Sequence, residues 1–415
     1  PQIGTLSYLN ASLLKFMALQ GATDLVELLG ISDVELRASN MQVQVNQGSG
    51  VGLGWGPNLA MPVIDFAQSY TTNNLGSAVG DANNNNRLDG YRVATNTSGA
   101  YKGLYFNDSV LGVSSDRVLL RVSEYVYISG GFSLNVGGTE EVDVQTGLIN
   151  PVGNTAITGL QALNQTDTDN GALGANSDGS MIWNLPIRTL EAGLENVDVF
   201  VGYTDAAAGV LETAAADGEL TKAELESADA IGVFLDEASL GLLIGSLVPQ
   251  VGGLSFLNTS LLKFMALQGD AAQVELLGVP GLDLSASNMQ VRLNQGSGVG
   301  AGWGPNLATP VIDFAQSYTT NNLGSTVGDA NNNSRLDGYR VATNTSGAYQ
   351  GLYFDDSVIG VSSDRVLLRV SDFVYISGGF SLNVGGTEAV DVQTGLINPV
   401  GNTVITGLQA LNQTD

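Results

Sequence analysis

Oxygen-bearing side chains at alternate positions of a short loop are the residues in this sequence with the clearest chemistry. The stretch GDANNNNRLDG, residues 80–90, places Asp81, Asn83, Asn85 and Asp89 at loop positions 1, 3, 5 and 9. Its second occurrence at 328–338 repeats them as Asp329, Asn331, Asn333 and Asp337. Alternate oxygens on a tightly curved loop converge on one hard cation, and calcium is the ion that such a set suits. The pattern departs from a helix–loop–helix calcium loop. Position 6 is Asn86 or Ser334 rather than glycine, and position 12 is Arg92 or Arg340 rather than a bidentate glutamate. The competing reading is an Asn-rich turn that holds no ion. A second candidate lies in TAAADGELTKAELESAD, 213–229, with Asp217 at position 5, Gly218 at 6 and Glu224 at 12. Thr213 and Ala215 are poor ligands at positions 1 and 3. The same residues make a helix start, with Thr221 as N-cap and Glu224 closing a capping box, and the two readings are compatible. The third acidic stretch, DTDNGALGANSD at 167–178, reads as a plain turn.

Most other chemistry is excluded by composition. The chain has no cysteine and no histidine, so disulfides, thiolate nucleophiles and imidazole bases are absent. Only carboxylate pairs remain for catalysis, and nothing singles one out among 41 acidic residues. No enzyme is expected, and a carbohydrate-active enzyme is the remote alternative. The glycine-rich loop 47–58 lacks the Gly-Lys-Ser/Thr of a phosphate loop. Its Trp55, like Trp303 in the second copy, either anchors the loop or contacts a sugar or partner. The net charge of −26 repels nucleic acid and anionic membrane surfaces and attracts cations. No apolar run is long enough for a membrane-spanning helix. Charged residues are only 13% against 43% hydrophobic, which separates the chain from acidic disordered tails.

These loops sit inside a long internal repeat. Residues 1–167 align without a gap with 249–415, an offset of 248, and about five positions in six are identical. The chain therefore reads as a first complete unit, 1–248, and a second, truncated unit, 249–415. The first unit divides into the duplicated block 1–167 and a single-copy part, 168–248, which carries a helical region at Ala206–Ala230. Pro1 is not expected to be a translation start. A piece that begins and ends in repeat phase is expected to come from a longer array.

The elements that hold the loops are strands. In SSDRVLLRVSEYVYISGGFSLNVGG, 114–138, Val118, Leu120, Val122, Val126 and Ile128 alternate with Leu119, Arg121, Ser123, Tyr125 and Tyr127. Period two with β-branched and aromatic residues is the signature of a strand. Gly130-Gly131 reads as a tight turn or bulge before a second strand. ELRASNMQVQVN, LLRVSEYVYISG, LEAGLENVDVFVG and IGVFLDEASLGLLIG share one grammar: strand, small polar turn, strand. Pro62–Phe66 reads as a short strand.

Taken in order, LLKFMALQG, LRASNMQVQVNQGSG, LLRVSEYVYISGGFSLNVGG, LENVDVFVGY and DGELTKAELESADAIGVFLDEASLGLLI resemble the repeat unit of giant secreted bacterial proteins. These are calcium-dependent adhesins and matrix proteins of the RTX, type I-secreted kind. Ala215 and Ala216 stand where that family has acidic residues. The resemblance implies an extracellular, cell-surface role with calcium as the bound ion. The combined expectation is an all-β, elongated tandem-repeat architecture, either an antiparallel meander or solenoid-like, with one short helical segment per repeat. Its expected role is a structural fibre, stalk or matrix layer, partnered by other copies or repeats of itself and by surface glycans. A ligand-binding adhesin module is the alternative.

Overall fold

The computed structural model describes residues 15–27, 34–49, 63–66, 74–75, 90–106, 108–122, 125–145, 181–204, 218–248, 262–297, 310–317, 321–324, 327–328 and 337–385. They are almost entirely strand. The long strands are β1 (Lys15–Glu27) and β2 (Val34–Ser49), followed by the short β3 (Tyr91–Ala94) and β4 (Tyr101–Leu104). Then come β5 (Val110–Val122), β6 (Val126–Gln145), β7 (Met181–Tyr203), β8 (Ile231–Leu247), β9 (Lys263–Leu277) and β10 (Leu282–Ser297). Short β11 (Val311–Asp313), β12 (Tyr339–Ala342) and β13 (Tyr349–Leu352) precede β14 (Val358–Val370) and β15 (Val374–Gly385). One sheet runs in the order β1-β2-β5-β6-β7-β8-β9-β10-β14-β15, and β11 adds to it at the end of β6. Every pairing in it is antiparallel, so the chain forms the meander. β3 pairs with β4 and β12 with β13 as separate two-stranded hairpins.

Three expectations are corrected. The polar steps at Ser39-Asn40, Glu195-Asn196 and Asp236-Glu237 are not turns. β2, β7 and β8 run straight through them, with Asn40, Asn196 and Glu237 at φ of +51°, +45° and +48°. One residue in the left-handed region leaves the strand direction intact, and the pairing of each strand resumes beyond it. Gly130, at φ +138°, lies opposite the same kind of feature: pairing with β5 shifts register between Ser115 and Val118, where β5 carries the extra residue. The hairpin reversal itself lies between Val122 and Val126. Second, within the described part of the expected helical region, 218–230, only α1 (Lys222–Ser227) is helical, while 206–217 lies outside the described residues. It starts at the Thr221 capping box and ends where Asp229 takes φ +50°. Third, residues 63–66 are not strand, although the same sequence in the second copy forms β11. β11 exists because it pairs with Asp143–Gln145 of β6.

The bulges divide the sheet into two covered halves. On one side β11, β12 and β13 lie over it, and Val142, Leu185, Ile187, Leu243 and Phe264 pack with Ile312, Phe314, Tyr339, Val341 and Phe354. On the other side Leu220, Leu225, Ala228 and Ala230 of the α1 segment cover Tyr127, Phe200, Phe234 and Leu277. Along β7 the buried parity switches from Leu185, Ile187 and Thr189 to Asp198 and Phe200, because the extra residue at Asn196 moves every later side chain to the other face.

Candidate functional site

The bulges of neighbouring strands fall in one row. Asn40 of β2 lies beside the β5 irregularity at Asp116-Arg117, which faces Gly130 of β6. Gly130 faces Asn196-Val197 of β7, and that faces Glu237-Ala238 of β8. Backbone at positive φ and polar side chains collect along the row. The result is a polar cavity of about 260 Å³ lined by Asp116, Ser129, Glu195, Asp198, Glu219, Glu237 and Asn344. It sits between the α1 segment and the tip of the β12–β13 hairpin.

The carboxylates here are engaged by hydroxyls and amides. Asp116 accepts from Asn40 Nδ2 at 3.1 Å, from the Thr345 N–H at 3.0 Å and from Ser346 Oγ at 3.0 Å. It also accepts from the Thr345 hydroxyl. The hydrogen bond from Thr345 holds its carboxyl below the ordinary aspartate range. Glu195 accepts from Thr343 Oγ1 at 3.1 Å and from Asn344 Nδ2. Thus the turn Asn344–Gly347 of the second copy is seated on two acids of the first unit. Deeper in, the Tyr339 hydroxyl donates to Glu191 Oε1 at 2.8 Å, and Thr189 Oγ1 donates to the same atom at 2.9 Å. Burial nevertheless pushes the Glu191 carboxyl up.

Two further carboxylates tie the covering segments down. Asp198 accepts from the Glu237 N–H at 3.0 Å and from Ser129 Oγ at 3.2 Å, while Ser129 Oγ accepts from the Leu220 N–H at 3.0 Å. Asp313 accepts from the Ala315 and Gln316 N–H groups, both at 3.0 Å, and from Gln145 Nε2 of the first unit at 2.8 Å. Burial raises both Asp198 and Asp313 to about 6. The arrangement binds hydroxyl and amide donors on a row of acids. Among the described residues no group of three or more acidic side chains is placed to hold a metal ion.

The calcium-loop residues are only partly in view. Asp81, Asn83, Asn85, Asp89, Asp329, Asn331, Asn333 and Asp217 lie outside the described residues, as do Trp55 and Trp303. Asp337 is within them and is 1% exposed. Its N–H donates to the Gly328 carbonyl at 2.9 Å. Glu224 closes the expected capping box: its Oε2 accepts from the Thr221 N–H at 2.8 Å and the Thr221 hydroxyl at 3.0 Å. The acids at Asp116, Glu195 and Asp198 are not visible as a site in the sequence. Their one signal is that TNTSGAY occurs unchanged at 95–101 and 343–349. No family model, no curated protein and no solved structure matches the chain.

The raised carboxyls give a pH dependence with a definite sign. Unfolded aspartate titrates near pH 3.9. Asp198 and Asp313 hold their protons in the folded state up to about 6. The folded protein therefore binds more protons between those values, and stability falls as pH rises through the window. Asp116, held low, opposes this only at the acid end, below its unfolded value. The midpoint of thermal unfolding is expected to be higher at pH 5 than at pH 7.5, by about a few degrees. Asp198→Asn is expected to shrink that difference. An unchanged difference in the variant would show that Asp198 is not its source.

Proposed function

We propose that this chain is a structural repeat protein of an extracellular bacterial assembly, a segment of a fibre, stalk or matrix layer built from tandem units. The observation that carries this reading is the continuity of the sheet. β9 of the second copy pairs with β8 of the first unit along its length, from Ser246↔Lys263 to Gly232↔Leu277. β11 and the β12–β13 hairpin then reach back over the first unit and complete its core. A chain whose successive units share one sheet and one core transmits force and holds a fixed direction between units. No helix among the described residues is long and apolar enough to cross a membrane. The partners are further copies or repeats of the same unit, with surface glycans as the class of external ligand.

Calcium is the second part of the proposal. Asp81, Asn83, Asn85 and Asp89, with Asp329, Asn331, Asn333 and Asp337, would hold one ion in each copy. A bound cation there cross-links the loop and offsets part of the net charge of −26. Ligand sets this weakly charged bind in the roughly millimolar range. At a calcium concentration ten times the dissociation constant, each site adds about 1.4 kcal/mol of stability. Thermal unfolding in calcium against chelator is expected to show a rise of a few degrees. Asp81→Ala combined with Asp329→Ala should abolish it. An equal midpoint with and without calcium removes the metal from the account and leaves the fibre reading to be judged on particle shape.

A further inference from the structure

The contacts that the second copy makes on the first unit use residues that the first copy also carries, and several of these are far more exposed there. Phe264 of β9 is 1% exposed under β8, whereas its counterpart Phe16 of β1 is 46% exposed. Val341 of β12 is 0% exposed, whereas Val93 of β3 is 41% exposed. Residues 311–313 are a strand on β6, whereas 63–65 are not strand. The turn Asn344–Gly347 is seated on Asp116 and Glu195, whereas the turn Asn96–Gly99 is exposed. The two turns are built alike. Asn96 Oδ1 accepts from the Ser98 and Ala100 N–H groups at 2.9 and 3.0 Å, and Asn344 Oδ1 from Ser346 and Ala348 at 2.8 and 3.1 Å. The opposite end shows the matching half. Asp364 accepts from Asn288 Nδ2 at 2.9 Å, as Asp116 does from Asn40, but no turn is seated on it among the described residues.

We infer that β1, residues 63–65 and the β3–β4 hairpin form a preformed docking surface, and that its occupant is another copy of this same unit. That copy presents the free edge of its β8, the end of its β6 and its Asp116–Glu195 pair. The inference deepens the fibre reading and rests on it. The occupant is identified by the internal contact, in which the same residue types on the second copy already hold those partners. Phe16, Val63, Ile64, Asp65, Tyr91, Val93, Asn96, Thr97 and Ser98 are each identical to the residue 248 positions later. The seat within one chain is already taken by its own second copy, so the partner is a unit that comes before this one in an array. The two turns therefore have one chemistry: Thr97 and Ser98 donate to an aspartate, and Thr95 and Asn96 to a glutamate.

The absence of cysteine makes the test direct. One further copy of residues 1–248 is joined ahead of Pro1, with Asp116→Cys in the added unit and Thr97→Cys in the unit that follows. The internal pair Asp116→Cys and Thr345→Cys in the unextended chain sets the reference. The inter-unit disulfide is expected to form to a yield within about twofold of the reference. Amide exchange of the hairpin carrying Lys102 in the following unit, with Lys102→Gln in the added unit to distinguish them, should slow by about tenfold or more on extension. A cross-link no better than that of a cysteine pair on unrelated surface sites, with exchange unchanged, overturns the docking. The same chains are imaged. Rods without the link would overturn this contact and leave the fibre reading standing, while the link without rods would support the contact and overturn the fibre reading.

Discussion

Tyr339→Ala is expected to destabilise the protein by about 3–5 kcal/mol, while Tyr91→Ala, the same change at the matching position, costs about 1 kcal/mol. Tyr339 is fully buried, stacked at a tilt against Phe314 with ring centroids 6.3 Å apart, and donates to Glu191. Its removal opens a cavity between the β12–β13 hairpin and the sheet and takes a donor from a buried carboxylate. Tyr91 keeps the same ring neighbour, Phe66, at 6.3 Å, but it is only partly buried. Denaturant titration of the two variants measures the difference. Equal losses would mean that the two hairpins are equally covered, contrary to the asymmetry between the copies.

Gly193→Val in β7 is the second large effect, with an expected loss of about 3 kcal/mol. A Cβ on Gly193 runs into the Ala342 carbonyl oxygen, so the β12–β13 hairpin crosses the sheet where only glycine leaves room. Backbone cannot move aside as a flexible side chain does, and the hairpin must lift from Glu191 and Glu195 together. Gly21→Val is the control. It lies in β1, where an added Cβ meets nothing within 4 Å, and valine is at home in a strand. Thermal unfolding of both variants is expected to show a clear loss for position 193 and almost none for position 21. Amide exchange should show the Gly193→Val loss concentrated in residues 339–352.

Alternation made the strands legible. Val118 through Ile128 gave β5 and β6 without help from tertiary structure, and the DGELTKAEL run gave the cap of α1. The irregularity at Gly130-Gly131 was legible in its glycine pair, whereas those at Asn40, Asn196 and Glu237 were not, because Ser-Asn, Glu-Asn and Asp-Glu steps satisfy a turn and a strand irregularity equally. The difference between them lies in what the next strand does. β11 shows the same limit from the other side. Val-Ile-Asp is strand at 311–313 and not at 63–65, so its state is set by whether the end of β6 is in reach. The acidic row was hidden for a related reason. Asp116 and Thr345 are 229 positions apart, and nothing local to either marks them as partners.

If units join by continuing one sheet, particle length grows in proportion to unit number. Between β1 and β9 the sheet repeats after six strands, β1, β2, β5, β6, β7 and β8. With neighbouring strands about 4.8 Å apart, each added unit should extend the particle by about 29 Å at constant width. Electron microscopy or small-angle scattering on chains carrying one, two and three added units reads this increment. A constant step near that value supports the account. Length that grows only as the square root of unit number, as for beads on flexible linkers, would contradict it.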